Sequence, residues 1–276
     1  MERIDLHIHS NLSDGDDSVY ELISKIKNKK IDLFSITDHD NVKSIDILQS
    51  IDGIKYISGV EMSSVLKNVK MHILGYGITS TGKIKEICHD IALVRRNLTL
   101  EIIEDLRKKG YDFPLEKLGR FNKGKGLVLS KVDISKLLVE MGYAESVSEA
   151  FYGILSPYKI GPQIRKDTEK IIGCIKEDGG LSILAHPGEI VKKQNVDINK
   201  VIDELCEIGI DGIEVCTPKH TTLEEENFLK IAREKDILIT CGSDYHGSIT
   251  KPNITLCDRV RGDLISEKVK QKSIKH

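Results

Sequence analysis

One recurrence constrains this chain more than any other feature: short apolar runs of strand character alternate with helical stretches, and most of the runs finish on a His, Asp or Glu. The first begins at Ile4. There Ile4, Leu6 and Ile8 alternate with Asp5, His7 and His9, the two-residue period of a β-strand. Residues two apart share a face, so His7 and His9 project together as a candidate pair of metal ligands. Two satisfied histidines on a half-buried strand would explain that pair alone. The recurrence is what asks for more.

Taken in order, Ser18 and Glu21 have the spacing of a capping box and open a helix to about Lys29. Strands are expected over 31–37, ending in Asp38-His39-Asp40, over 54–60, ending in Glu61, and over 70–76, carrying His72. Ile87, Ile91, Val94, Leu98, Ile102 and Leu106 then fall at helical spacing, as do Ile134, Leu137, Leu138 and Met141. Residues 84–164 therefore read as a helical insertion between strands four and five. Alternation resumes with strands over 181–185, ending in His186-Pro187-Gly188, over 212–216, and over 237–241, ending in Gly242-Ser243-Asp244-Tyr245-His246-Gly247. Thr222 is placed as the cap of the helix before the last strand. The expected organisation is a discontinuous barrel domain of 1–83 and 165–257, the insertion 84–164, and a loosely held lysine-rich tail, 258–276. Seven strands with helical crossovers predict an α/β fold whose mostly parallel sheet closes, or nearly closes, into a barrel. Active sites of such barrels lie at the C-terminal strand ends. His72 is the outlier, near the start of its strand.

Charge narrows the partners. With 41 basic and 43 acidic residues the net charge is −2, which argues against a broad footprint for duplex nucleic acid or an anionic membrane. No apolar run is long enough to span a bilayer and no leader is evident, so a soluble cytoplasmic protein is expected. The six cysteines show no CxxC spacing and read as reduced, packed thiols. The sequence sets no oligomeric state.

The candidate ligands are His7, His9, Asp14, His39, Glu61, His72, His186, Asp244 and His246. This mix of imidazole and carboxylate suits two to three divalent ions, Mn, Fe or Zn, with positions left for water or substrate. Three carboxylates against three dications leave a net charge of about +3, which favours an anion with several oxygens such as phosphate. Asp244 and His246 join the catalytic set. His220 follows the sixth strand, where it is placed to reach a leaving group or bind substrate. Lys131 and Arg165 are candidate phosphate contacts, with Arg95 and Arg96 behind them. Asp5, Asp38 and Asp40 flank ligands as second acceptors or turn residues. His89 is placed on the surface of an insertion helix.

Asp5-Leu6-His7-Ile8-His9-Ser10 with Ser13-Asp14-Gly15, Thr37-Asp38-His39, Gly59-Val60-Glu61, His72 to Tyr76, Ala185-His186-Pro187-Gly188 and Gly242 to Gly247 together resemble the PHP (polymerase and histidinol phosphatase) superfamily. The resemblance implies a distorted (β/α)7 TIM-like barrel with a trinuclear centre that hydrolyses phosphoesters. It implies that His7, His9, Glu61 and Asp244 hold one metal, that Glu61 bridges to a second held also by His72 and His186, and that Asp14, His39 and His246 hold the third. A metal-bridged hydroxide would be the nucleophile. The insertion resembles that of stand-alone members, which act on nucleoside monophosphates and 3′,5′-bisphosphates, some of them also as 5′→3′ exoribonucleases. One motif departs: where those members carry Arg-x-His, this chain has Lys131-Val132-Asp133, so a point charge replaces a bidentate fork and Asp133 would repel an anion. The expected activity is that of a phosphoric ester hydrolase on a small phosphorylated substrate, a nucleotide first. The alternatives are a 5′→3′ exoribonuclease on short oligonucleotides, a histidinol-phosphate or sugar-phosphate phosphatase, an amidohydrolase, and a non-catalytic scaffold.

Overall fold

Strand β1 (Ile4–Ile8) is buried along its whole length and starts the architecture. The computed structural model describes residues 2–112, 130–159 and 161–275; residues 113–129, the middle of the expected insertion, lie outside them. β1 pairs in parallel with β2 (Leu33–Ile36), β2 in parallel with β3 (Lys55–Tyr56), and β3 antiparallel with β10 (Ile274–Lys275). A second sheet runs in the order β6-β4-β5-β7-β8-β9, with β4 Gly59–Leu66, β5 Val69–Tyr76, β6 Lys166–Asp167, β7 Leu181–Leu184, β8 Gly212–Cys216 and β9 Leu238–Cys241. The fold is mixed α/β.

The two sheets meet edge to edge at two isolated bridges, Ile8 with Tyr245 and His39 with Glu61. The His9 amide donates to the Tyr245 carbonyl at 2.8 Å, and the Asp40 amide to the Glu61 carbonyl at 2.9 Å. The strands β1, β2, β4, β5, β7, β8 and β9 thus follow one another around a ring that is joined by bridges, not by one continuous ladder. Gly242 serves one of these approaches. A Cβ there would lie 2.2 Å from that of His7, so only glycine lets the end of β9 come so near β1.

Three expectations about the strands and the tail need correction. The strand expected over 54–60 is two strands in different sheets, β3 and β4, and β4 runs on to Leu66. There Lys67 and Asn68 both take positive φ (46° and 72°), the backbone of a tight hairpin turn, and β5 returns antiparallel. The ring therefore contains antiparallel pairs, β4 with β5 and β5 with β7, that helical crossovers could not make. This also accounts for His72. β5 starts beyond the rim and runs back, so a residue near its start, in register with Ser63, lies level with strand ends running the other way. Lastly, the tail is not loose: Ile265 and Val269 are buried, and β10 extends the first sheet.

Local signals behave as chemistry dictates. Ser18 and Glu21 form a reciprocal capping box at the start of α1 (Val19–Asn28). Helix α2 spans Lys43–Leu48. Ser130 and Asp133 form a second box at α4 (Lys131–Glu140), so Asp133 spends its carboxylate on the helix start. Ser146 caps α5 (Val147–Tyr152). The helix expected to be capped by Thr222 is capped one residue earlier, by Thr221 with Glu224. The long helix α3 (Lys83–Lys108) buries Ile84, Ile87, Ile91, Ile102 and Leu106 in the same apolar cluster as β5, β7 and β8. That burial holds one flank of α3 over the rim. Among the described residues no helix is long and apolar enough to cross a membrane.

Candidate metal centre

Strand direction explains why the donors meet. His7 lies in β1 with His9 just past it, His39 follows β2, His186 follows β7, and Asp244 and His246 follow β9. Glu61 stands three residues into β4, beside the His39 bridge. Asp40, His186 and Asp244 all sit at positive φ (49°, 29° and 53°), strain that non-glycine residues tolerate only where surrounding contacts fix them.

Glu61 is the hub, fully buried. Its Oε1 lies 2.9 Å from both His72 Nδ1 and His186 Nε2, and its Oε2 lies 3.1, 3.0 and 3.2 Å from His7 Nε2, His9 Nε2 and His39 Nδ1. Asp244 Oδ1 is 3.3 Å from His7 Nε2 and 3.1 Å from His9 Nε2. Asp14 closes the other side, with Oδ1 3.3 Å from His246 Nε2 and Oδ2 4.0 Å from His39 Nε2. Three sets place their donor atoms within 4.8 Å of one another: His7, His9, Glu61 and Asp244; His9, Asp14, His39 and His246; and His39, Glu61 and His72. They overlap at His9, His39 and Glu61. His186 joins them through Glu61.

Two observations test whether this set suits metal ions. Asp14 Oδ1, His39 Nδ1 and His186 Nδ1 are buried without a hydrogen-bond partner among the described residues, although each has a neighbour of opposite polarity nearby. His7 Nε2 and His9 Nε2 face each other at 3.1 Å with carboxylates on both sides. Buried polar atoms without hydrogen bonds, and ring nitrogens crowded between carboxylates, are what a site for cations offers. The residues fit.

Electrostatics keep the carboxylates ionised. Burial would raise all three, but it is overridden at Asp14 by His246 and His39, at Glu61 by His39, His7 and His72, and at Asp244 by Lys219 and Lys251, which hold each well below the usual carboxylate range. Burial would lower His7 and His9 too. At His7 the carboxylates of Glu214, Glu61 and Asp244 win and lift it well above its ordinary value, and at His9 Asp244 and Glu61 lift it to about 9. Burial dominates at His39, which falls well below its usual value, at His246, lowered further by His9, and at His186, lowered to about 4 with Lys219 contributing.

The supporting residues are only partly those the sequence suggested. Asp38 accepts from Ser10 N, Ser10 Oγ and Ser13 Oγ, and so shapes the loop that presents Asp14. Asp5 accepts from Ser243 N and Oγ and from Cys257 N, fixing the segment before Asp244. Asp40 holds Ser63 and the Arg95 guanidinium. The sequence reading missed Glu214, whose Oε1 lies 2.9 Å from His7 Nδ1 while Oε2 accepts from the His186 amide at 2.8 Å. The signal was there: a carboxylate between Ile213 and Val215 in an apolar strand is rarely left unpaired. It also missed Lys219 and Lys251, which both reach Asp244 Oδ2.

The remaining substrate candidates differ in where they are held. His220 is buried with both ring nitrogens committed to backbone, Nδ1 to the Val215 carbonyl at 2.8 Å and Nε2 to the Gly188 amide at 3.0 Å, so none is free for a leaving group. Lys131 places its ammonium 4.3 Å from the centre of the Phe151 ring. Arg165 donates to the Ser64 and Met71 carbonyls and braces the β4–β5 hairpin, lining a small recess beside His72 and His186. A larger cavity of about 430 Å³ opens between the metal rim and α3; Asp14, His39 and His72 line one side and Arg95, Arg96 and His89 the other.

A model of the PHP domain matches residues 5–218. The chain is 27% identical over 257 residues to phosphoribosyl 1,2-cyclic phosphate 1,2-diphosphodiesterase of Eggerthella lenta, covering 88% of this chain and 94% of that one. It is 28% identical over 254 residues to the 5′-3′ exoribonuclease Rnm of Escherichia coli, covering 88% and 84%. A solved structure of a candidate metal-dependent phosphoesterase of Bifidobacterium adolescentis superposes with a TM-score of 0.83 at 24% identity, covering 99% of this chain and 97% of that one.

Proposed function

Since the chain belongs to the PHP domain family, we propose that it is a metal-dependent phosphoesterase that hydrolyses a small phosphorylated substrate, a nucleoside monophosphate or 3′,5′-bisphosphate first among the candidates. One observation carries the reading: three donor sets overlap pairwise, at His9, His39 and Glu61, on a single rim, the arrangement that two or three adjacent divalent ions need. His7, His9, Glu61 and Asp244 would hold one ion, Glu61, His72 and His186 a second, and Asp14, His39 and His246 a third. Mn, Fe or Zn would supply Lewis acidity and make bound water acidic enough to ionise near neutrality.

The chain's own residues do the rest. Ionised Glu61, with histidine nitrogens on both oxygens, would offer one oxygen to each of two sites. Glu214 orients His7 by accepting at Nδ1, which leaves Nε2 to the centre. The cavity beside the rim falls within the usual range for small-molecule sites, about 300–1,000 Å³. Its apolar side chains Leu12, Val42, Ile91 and Leu93 offer a surface for a ring system, and Arg96 and Lys85 a positive edge. A second reading uses the same centre to trim short oligonucleotides from the 5′ end; the likeness to the exoribonuclease of Escherichia coli supports it.

The test is a metal count and a substrate screen. Purified protein should hold about two to three equivalents of Mn, Fe or Zn, and chelation should abolish hydrolysis of phosphomonoesters. Mononucleotides, nucleoside bisphosphates, sugar phosphates and short RNA, compared with Mn added, separate the two readings. Full activity in a metal-free protein ends both.

A further inference from the structure

Asp244 divides its two oxygens between different neighbours. Oδ1 faces His7, His9 and His246; Oδ2 receives the ammonium groups of Lys219 and Lys251, each at 2.5 Å. Two ammoniums on one oxygen are near neighbours, and like charges repel in a site of reduced dielectric. They help keep Asp244 ionised, but they also compete with a cation on Oδ1 for the charge of the same carboxylate. Lys219 has a second partner in Glu189, at 2.9 Å. Among the described residues, Lys251 forms its ion pair with Asp244 alone. Once dications sit on the Oδ1 side, this corner carries more positive charge than its carboxylates can balance.

Both lysines are fixed from outside the cluster. The carbonyl of Lys219 accepts from Lys192 Nζ at 2.8 Å, and the next residue, His220, is pinned by both ring nitrogens. The expected reach of His220 therefore belongs to its neighbour, with His220 as the anchor. The amide of Lys251 donates to the Gly247 carbonyl, and Thr250 donates to Asp16 through Oγ1 at 2.6 Å and through its amide at 3.0 Å, tying Lys251 to the loop that carries Asp14. The side chains keep 15% and 27% exposure, so the pair is reachable from solvent.

We propose that Lys219 and Lys251 form a two-ammonium clamp for an oxyanion, gripping the phosphoryl group of the substrate beside the metal cluster. The inference rests on the phosphoesterase reading and adds catalytic residues to it. They are point charges beside the cluster of the kind that Lys131, turned to Phe151, does not supply.

Inorganic phosphate is the probe. It is titrated calorimetrically into metal-saturated wild type, Lys219→Met, Lys251→Met and Lys251→Arg, with bound metal counted in the same samples and folding checked by circular dichroism. The clamp predicts an unchanged metal count, phosphate affinity weakened about tenfold for each Met variant, as loss of a charge-assisted hydrogen bond implies, and most of that affinity kept by Lys251→Arg. Phosphate affinity within twofold of wild type at full metal occupancy overturns it. So does metal loss as the sole change, which would make the lysines positioning residues for Asp244. If Lys219→Met does not fold, the more exposed Lys251 decides alone. A wild type that hydrolyses phosphomonoesters while the variants bind phosphate normally defeats only the clamp. A wild type with neither phosphate binding nor phosphoester hydrolysis defeats the functional reading and the clamp with it.

Discussion

Glu214→Gln removes one charge from a fully buried position and changes the shape of almost nothing. In the native site Oε1 faces His7 Nδ1 at 2.9 Å and Oε2 accepts from the His186 amide at 2.8 Å. Glutamine has one oxygen for these two contacts. If that oxygen keeps the His186 amide, its NH2 faces His7 Nδ1, which must then accept. The ring proton moves to Nε2, the atom beside Glu61 and Asp244, and His7 can no longer ligate. If the oxygen turns to His7, two donors confront each other at His186, a buried mismatch worth about 1–3 kcal/mol. Either way metal affinity should fall by about 10- to 100-fold, the usual consequence of losing a carboxylate behind a ligating histidine. That range corresponds to about 1.4–2.8 kcal/mol. Competition against a chelating dye at pH 7.5 measures it directly, with urea unfolding of the chelated protein as a control for stability. An affinity within twofold of wild type would refute the reasoning, since it would mean that the tautomer of His7 does not govern ligation.

Three further outcomes follow from other contacts. Lys136 bridges the insertion to the metal-bearing loop, pairing with Asp16 at 2.8 Å and donating to the Asp14 and Gly15 carbonyls at 3.2 Å each. Lys136→Met should cost about 1–2 kcal/mol in urea unfolding at pH 7. Its pH dependence has a definite sign. Burial raises Asp16, but hydrogen bonds from Lys136 and Thr250 win and hold it below its ordinary value, so its contribution is present above the unfolded pKa near 4 and fades as the pH falls further. The gap between wild type and variant should therefore shrink in acid; a constant gap would show that the pair does not titrate. His220→Phe should destabilise the protein by about 1–3 kcal/mol, because the buried Gly188 amide loses its acceptor. A folded variant of wild-type stability would show that the pin is dispensable. His9→Ala removes a donor shared by two of the three sets and should lower kcat/KM by at least about 100-fold while the fold survives; retention of activity would remove His9 from the centre.

How much of this was legible in the sequence depends on the range of the contact. The capping box at Ser18, the cap at Ser146, the buried stripe of Ile87, Ile91, Ile102 and Leu106, and the alternation around His7 and His9 are set by residues a few positions apart, and the chain forms them as its pattern predicts. The hairpin at Lys67-Asn68 hid because neither residue is glycine, though both take positive φ. The packed tail hid because its partner is distant in sequence: the Ile239 amide in β9 donates to Ser266 Oγ, and the Ile239 carbonyl accepts from the Ser266 amide. His220 looked functional and proved to be an anchor, because only packing shows that both its nitrogens are occupied.

By itself the sequence determined which donors the chain carries and that most of them fall at or near the ends of strands, since strand period and strand ends are written in neighbouring residues. Tertiary structure decided which atoms share a site: that Glu61 is the hub, that Glu214 stands 207 positions from the histidine it orients, and that two lysines converge on Asp244. The physical reason is that backbone period is local, whereas the partner of a buried charge is chosen by how the sheets meet, and no stretch of neighbouring residues records that.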